Sequence, residues 1–519
     1  MTQPLSDPSD YQALLGLVSN GQNESAVMLA SKLIEECPLD PRLHALMGVA
    51  KMELEDTRTA IGCFQRALSL RPGYKDALYN LGLAQQLEGD FEGAVTSYQE
   101  LLTLYPAHTT ALSGLFFSLQ HTEELNLTLV DQIFRSAHAK LFEQHPGLII
   151  RWARSIPVEE WCKFNSVKVH VLEAPTDVDI VDPHNGAPYR YRTAGVQLAV
   201  IPEATFVSGW DFVVAPDGEV LNDSGYMDLT SSYLILPHFF HRATGQVAHP
   251  WPSNCVTVDE DVLFLSAPPD FSFGHWLMDF LPRLRGWNET GRTRIKLAVP
   301  AKLPQHHRDT LAAFGVTAAD VIWCKFANCY KFRTITIVQA GNLYLPNPNT
   351  TRFLHQALGP DATAGNDVAE RRFFLPRTQT TRGRSIVNHE EVQTVLDGFG
   401  FEAVRRPKVA IADQNRMFAE AGLVLTTIGT DIITVYQLRP GTDLVVLCLP
   451  GMDTLDVKSG TMALASLCQT VGVRLHRVIC SSSGPADAAG LYHQNIIVNC
   501  SVLHELLSQI IERRRNEKI

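Results

Sequence analysis

Small and apolar residues return at a fixed step through the first third of the chain. Pro38, Pro72 and Pro106 are 34 positions apart; Ala26, Ala60 and Ala94 keep the same step, as do Gly48 and Gly82. Met47-Gly48, Ala60, Phe64, Ala67 and Pro72 fall in register with Leu81-Gly82, Ala94, Tyr98, Leu101 and Pro106. The pattern predicts paired helices. Small residues let the two helices of a pair approach, aromatic rings fill the gap to the next pair, and proline closes the second helix because it cannot continue one. A first pair, about residues 5–39, is weaker and carries Ala30 at the aromatic position. A half-repeat follows with Leu112, Leu115, Phe116 and Leu119 on one face, and one or two more helices over about 125–155 are expected to cap the stack.

From about residue 165 the texture changes to short β-rich runs. They include VKVHVLE, VQLAVI, VLFLS (262–266), IKLAVP (295–300), TITIV (334–338), RRFFLP (371–376), GLVLTTIG (422–429) and TDLVVLCLP (442–450). Helical stretches separate most of them. Strands that are apolar throughout and alternate with helices predict parallel sheets covered on both faces. The Pro/Asn-rich YLPNPNT and the Gly/Ala/Asp stretch near 359–367 mark a boundary. The reading is two Rossmann-like lobes, 165–355 and 368–510, with ligand bound between them beyond the carboxyl ends of the strands.

A 34-residue period of helix pairs is similar to the tetratricopeptide repeat. Three markers recur in phase, and the resemblance covers residues 5–155 with the capping helices included. It implies an all-α solenoid whose concave surface binds a protein or peptide. The alternative is a spacer or dimerisation arm, and both readings stay open because three repeats make only a short groove.

Composition narrows the partners. The formal net charge is −11, which argues against broad binding to nucleic acid or anionic membrane. No apolar run reaches the length of a membrane span. The opening residues MTQPLSDPSD lack the basic and apolar regions of a signal peptide. The ten cysteines are scattered without metal-ligand spacing, Cys324 and Cys329 coming closest. Free thiols in a reduced, cytoplasmic setting are expected, with the inner face of a membrane as a peripheral location. Asn-x-Ser/Thr triplets such as those at Asn126 and Asn288 carry no weight without a secretory signal.

One segment places polar chemistry inside a greasy run: FGHWLMDFLPRL, Phe273 to Leu284. His275, Asp279 and Arg283 stand at i, i+4 and i+8, one face of a helix. Pro282 cannot donate to the carbonyl of Met278 and kinks that helix. A structural His–Asp pair with Arg283 at an exposed helix end is the bland reading.

Its surroundings supply another. VLFLSAPPDFSFGHWLMDFLPRL resembles glycosyltransferase family 61, whose members carry a His-Trp, Asp and Leu-Pro-Arg-Leu signature after such a strand. His275, Trp276, Asp279, Leu281, Pro282, Arg283 and Leu284 match. In a second block Arg377, Arg384, Asn388, Glu390, Gly400 and Phe401 match, with Pro376 where serine is usual and His389 inserted. In a third, Gln414, Ala421, Gly429, Pro440 and Gly441 match, while Asp413, Ile428, Thr430 and Thr434 stand where the family has glutamate, histidine, alanine and asparagine.

The resemblance implies a two-lobed GT-B enzyme that inverts the anomeric centre and uses a nucleotide sugar, typically UDP-linked, with no tightly bound cofactor. The acceptor is a protein or a glycan, the repeats recruit it or an assembly partner, and oligomerisation is left open. His275 and Asp279 are then the candidates for the general base, in either order. Arg283, Arg377 and Arg384, with Asn388, Gln414, Gly429 and Thr430, are candidates for the diphosphate and nucleoside. Arg371, Arg372 and Arg382 add to a local basic run. AspValAsp at 177–179 and AspGluAsp at 259–261 read as surface features, and no metal site is expected. The competing reading is a scaffold whose transferase-like part is degenerate at Ile428 and Thr434.

Overall fold

Backbone with positive φ returns at Gly21, Glu55 and Gly89, again 34 residues apart. Each turns the chain from the first helix of a pair into the second. The computed structural model describes residues 8–210, 212–221, 238–265, 273–291, 294–340, 345–360, 371–376, 385–404, 411–449, 451–452, 454–455, 460–482 and 495–517. They fall into two compact units: one within Met1–Ile156, Gly218–Asn222 and Met227–Ser253, the other within Pro157–Asp217, Asp223–Tyr226 and Asn254–Ile519. Among the described residues, no helix is long and apolar enough to cross a membrane.

The first unit opens with seven helices: α1 (Pro8–Ser19), α2 (Asn23–Glu36), α3 (Pro41–Glu53), α4 (Thr57–Leu70), α5 (Lys75–Leu87), α6 (Phe91–Leu104) and α7 (Thr109–His121). Asp40, Asp56 and Asp90 start α3, α4 and α6 by accepting from the N–H of Arg42, Thr59 and Gly93. Inside the pairs the glycines make room for rings. A Cβ on Gly48 would stand 2.6 Å from Phe64, and one on Gly82 would stand 2.8 Å from Tyr98. The Tyr98 hydroxyl donates to Gln86 at 3.0 Å, and Gln86 donates onward to the Gly114 carbonyl at 2.9 Å, stitching α6, α5 and α7 together.

Helices α8 (Leu127–Ala137) and α9 (Ala139–Gln144) follow, but the expected capping helix does not reach 155. Leu148–Ile156 is a strand, paired antiparallel with Gln246–Pro252. Its sequence LIIRWARSI has β-branched and aromatic residues that a pleated surface accepts well. The partner strand lies almost a hundred residues on, so local pattern alone did not reveal the pairing.

The second unit holds two main sheets and two small two-stranded ones. In the first, Val321–Cys324, Lys296–Pro300, Cys255–Phe264 and Cys329–Gln339 run parallel in that spatial order. Val196–Pro202 and Thr205–Val207 then join Cys329–Gln339 antiparallel. The sheet is therefore mixed, not wholly parallel as the apolar runs suggested. In the second sheet Phe401–Ala403, Arg371–Leu375, Ala421–Thr427, Asp443–Cys448 and Arg474–Ile479 are all parallel. Their chain order across the sheet is 2-1-3-4-5, which puts the reversal between Arg371–Leu375 and Ala421–Thr427.

The hairpin Asp177–Val181 with Pro188–Arg192 ties into the second sheet's layer. Tyr191 hydrogen-bonds Ser466 and the Pro346 carbonyl, both at 2.6 Å, and Asp182 meets Arg477 with both side chains fully buried. Cys255 and Cys329, in register on neighbouring strands, form a disulfide. The expectation of free thiols throughout is corrected for this pair; the two lie 74 residues apart, and only sheet register brings them together.

Candidate active site

Val262, Leu263 and Phe264 bury the carboxyl end of their strand between two parallel neighbours. From Phe273 the chain is helical but uneven. Phe273–His275 is an α-turn, Trp276–Phe280 a wider π-type turn, Leu281–Arg283 a tighter 3-10 turn, and Leu284–Thr290 is α again. Pro282 has no N–H to close on Met278, and the widened and tightened turns absorb the mismatch. Trp276, Leu277, Phe280, Leu281 and Leu284 are buried and hold the segment in place.

His275 Nδ1 lies 3.0 Å from Asp279 Oδ2. An ionised carboxylate only accepts, so Nδ1 is the donor in this bond. The Asp279 side chain is 5% exposed and that of His275 27%. A ligand can reach the imidazole, while the carboxylate that orients it is shielded.

The Thr430–Gln437 helix packs against the turn that carries His275. Its Tyr436 is buried. Burial first, then the neighbouring Asp279 charge, raises the phenol pKa, so the hydroxyl keeps its proton. His355 reaches the Tyr436 carbonyl with Nδ1 at 3.1 Å. Gly429 leads into this helix from the Ala421–Thr427 strand with φ 153° and ψ −157°, a region essentially reserved for glycine. The structure thus sets the turn that carries His275 and Asp279 against the helix that Gly429 opens. Thr430 begins the same helix; its side chain lies outside the described residues.

The other candidates are distributed differently. Arg283 is buried, not at an exposed helix end: its guanidinium lies over the Phe280 ring at 4.8 Å and the Phe264 ring at 5.8 Å. Gln414 is buried on Ile411–Ala419, a helix packed against Thr430–Gln437. Asn388 commits both ends of its amide to the backbone of Val498, donating at 2.8 Å and accepting at 3.0 Å, and so clamps two loops. Arg377, Arg382 and Arg384 lie outside the described residues. Arg371 and Arg372 start their strand at the end away from Gly429. Arg371 pairs with Glu402 and Glu420, and Arg372 donates to the Phe399 carbonyl. The basic run is therefore split by a five-residue strand. The two Asp-x-Asp pairs are ion-paired, Asp177 and Asp179 to Arg192 and Arg190, Asp259 and Asp261 to Arg333. Among the described residues no three His, Cys, Asp or Glu side chains are grouped to hold a metal.

Sequence reasoning passed over Tyr436, His355 and the adjacent His306-His307. The two histidines open the Gln305–Ala313 helix, just past the end of the neighbouring Lys296–Pro300 strand. Rings of Phe273 and His307 lie 5.4 Å apart, and those of Trp276 and His307 5.3 Å apart. A sequence signal existed: the position just beyond a parallel strand is where such folds gather functional groups.

Residues 273–445 match the Glycosyltransferase 61 family and residues 46–109 match the Tetratricopeptide repeat family. The chain thus joins a tetratricopeptide-repeat region to a glycosyltransferase 61 domain. No curated protein matches the chain. Among solved structures, it is similar to the first repeat domain of Spaghetti (RPAP3) bound to the HSP90 peptide SRMEEVD, at 21% identity over 23% of this chain and 97% of that one, TM-score 0.22. It is also similar to MamA, at 22% identity over 27% of this chain and 76% of that one, TM-score 0.22. A MamA fragment from Desulfovibrio magneticus RS-1 is 19% identical over 28% of this chain and 78% of that one, TM-score 0.23.

Proposed function

We propose that this protein is an inverting glycosyltransferase of GT-B type. It would move a sugar from a nucleotide-sugar donor, UDP-linked, to a hydroxyl of a protein or glycan acceptor, with the repeats recruiting the acceptor or a partner. The observation that carries the reading is the His275–Asp279 pair, oriented at 3.0 Å on a turn packed against the Thr430–Gln437 helix.

In this reading Asp279 fixes the ring through Nδ1–H, and Nε2 takes the proton of the acceptor hydroxyl. The acceptor oxygen bonds to the anomeric carbon as the bond from that carbon to the diphosphate oxygen breaks, and the diphosphate leaves with the electron pair. Arg377 and Arg384 are proposed to grip it bidentately, a role that rests on their sequence match alone. Strand Arg371–Leu375 ends level with Thr426, which supports a diphosphate position beside Gly429 at the reversal in strand order. No resident metal is invoked. A cytoplasmic location remains part of the proposal.

A second reading, a binding scaffold with an inactive transferase domain, is favoured by Ile428. It is a buried aliphatic residue where the family resemblance calls for a histidine.

The test is thermal stability of the full chain against UDP, GDP, ADP and UDP-sugars, with and without a chelator. Ligand at about one hundred times Kd adds about 2.7 kcal/mol to the domain that binds it. A UDP-selective shift supports the transferase; no shift with any nucleotide turns the assignment to the scaffold. Given a shift, His275→Ala and Asp279→Asn should abolish transfer while leaving that shift in place.

A further inference from the structure

Helices α6 and α8, with the end of α7 and the turn that follows it, enclose a cleft of about 850 Å³ in the first unit. That is within the roughly 300–1,000 Å³ of ordinary ligand clefts. α6 and α8 are the second helices of their pairs, and none of the first helices α1, α3 and α5 contributes a wall. The cleft is therefore a different surface from a groove along the first helices. Val95 and Leu119, both buried, and the half-buried Leu129 give it an apolar wall; the exposed Glu92, Glu123 and Glu124 stand at its rim. Its shape is fixed without a ligand. The Glu92 carboxylate accepts from the Glu123 N–H at 3.0 Å, Phe91 stacks on His121 with ring centroids 4.8 Å apart, and Asn126 caps α8 by accepting from the Leu129 N–H at 3.0 Å. No Lys, Arg or His side chain lines the cleft. α6 carries no Lys or Arg, and Arg135, the basic residue of α8, pairs with Asp131. Among the described residues the three rim carboxylates are thus left without an ion pair.

We propose that this cleft docks a basic segment of a partner protein. The inference rests on the recruiting role proposed for the repeats and names the partner's chemistry; it does not depend on the transferase chemistry. Lys and Arg suit the cleft because each side chain is two things at once. The methylene stem lies on apolar surface while the charged head reaches outward, here from Val95, Leu119 and Leu129 to Glu92, Glu123 and Glu124. The rim carboxylates repel one another, and a cation from the partner relieves that repulsion. A free metal ion or small amine would match the rim but leave the apolar wall uncovered. An acidic segment would meet like charge, which is how complementary interfaces reject wrong partners.

The experiment titrates the full chain into a fluorescein-labelled Gly-Arg-Leu-Arg-Leu-Arg-Gly peptide at physiological salt and reads anisotropy. Two matched peptides replace every Arg by Gln or by Glu. The Arg peptide should bind, and the other two should not. Three variants place the binding. Glu92→Gln with Glu123→Gln and Glu124→Gln removes the rim charge but keeps the acceptor that holds the Glu123 N–H; it should weaken the Arg peptide by about tenfold or more, the sum expected of three partly exposed ion pairs. Glu24→Gln with Glu35→Gln and Glu36→Gln makes the same change in net charge on exposed positions of α2, and should leave affinity within about twofold because salt screens distant charge. Gln132→Trp fills the cleft from an exposed position on α8 without changing charge, and should abolish binding. Equal binding of the Arg and Gln peptides overturns the inference whether or not the variants fold. So does a loss in the α2 variant as large as in the rim variant, or full binding by Gln132→Trp. Binding of the Glu peptide alone overturns it and leaves the recruiting role of the repeats standing. A wild type that binds none of the three overturns it as well, while the transferase reading is judged separately by its UDP shift.

Discussion

Removing Asp182 should leave a cation stranded in the second unit. Arg477 donates Nη2 to Asp182 at 2.5 Å and Nη1 to the carbonyls of Met452 and Thr454 at 2.8 and 3.3 Å. Both acidic and basic side chains are fully buried. Asp182→Ala removes the counter-charge but not the guanidinium, and stranding a buried ion costs about 3–5 kcal/mol. The two remaining carbonyls keep the loss near the low end. An unfolding unit of roughly 300 residues, at about 2.1 cal/mol/K per residue, then melts about 5 °C lower. The paired replacement Asp182→Leu with Arg477→Met buries no charge and should recover most of the loss. Thermal and urea unfolding of wild type, Asp182→Leu, Arg477→Met and the double variant give the coupling directly. If Asp182→Ala melts with wild type, or the double variant loses the sum of the two single losses, the buried pair is not what ties the hairpin to the sheet.

Gly429→Ala places a side chain at φ 153° and should cost about 1–3 kcal/mol of backbone strain; the UDP-induced melting shift should shrink or vanish, and a full shift would show that this turn does not meet the nucleotide. Gly48→Ala drives a Cβ to 2.6 Å from the Phe64 ring and should destabilise the repeats by about 1–3 kcal/mol. Gly62→Ala, exposed in α4 with nothing within 4 Å, should stabilise by up to about 1 kcal/mol; circular dichroism melts that rank the two alike would refute the packing argument. Burial lowers the pKa of His138 to about 4 and of His249 to about 3, both in the first unit. Their unfolded forms bind protons near pH 6.5, so the unit's stability is complete above that pH and falls as pH drops toward 4, at up to about 2.7 kcal/mol per pH unit. Urea melts from pH 7 to pH 4 measure this, and a flat profile would mean that these imidazoles are not shielded in the native state.

Local pattern was enough wherever the energetics are local. Helix pairs at a 34-residue step are legible because the small residue, its ring and its cap all lie within one repeat. His275 and Asp279 could be placed together from spacing alone, since one helical turn separates them. The wide turn at Trp276–Phe280 is a local consequence of Pro282, visible in sequence as a break but not as a geometry.

What depended on sheet register could not be read that way. Leu148–Ile156 is a strand because Gln246–Pro252 lies beside it; Cys255 meets Cys329 because their strands align; Arg371 is drawn to Glu402 and Glu420 at the amino end of a sheet whose other end carries Gly429. Arg283 looked like the outer end of a polar face, yet the turns around Pro282 set it beneath phenylalanine rings. His307 is the extreme case. Its place just past a strand was visible in sequence, but only the packing of the Gln305–Ala313 helix against Phe273 and Trp276 buries it. A sequence states which contacts a residue can make within a turn or two of helix. Contacts across a sheet or between layers depend on where distant segments come to rest, and the burial of a nitrogen or a charge is decided there.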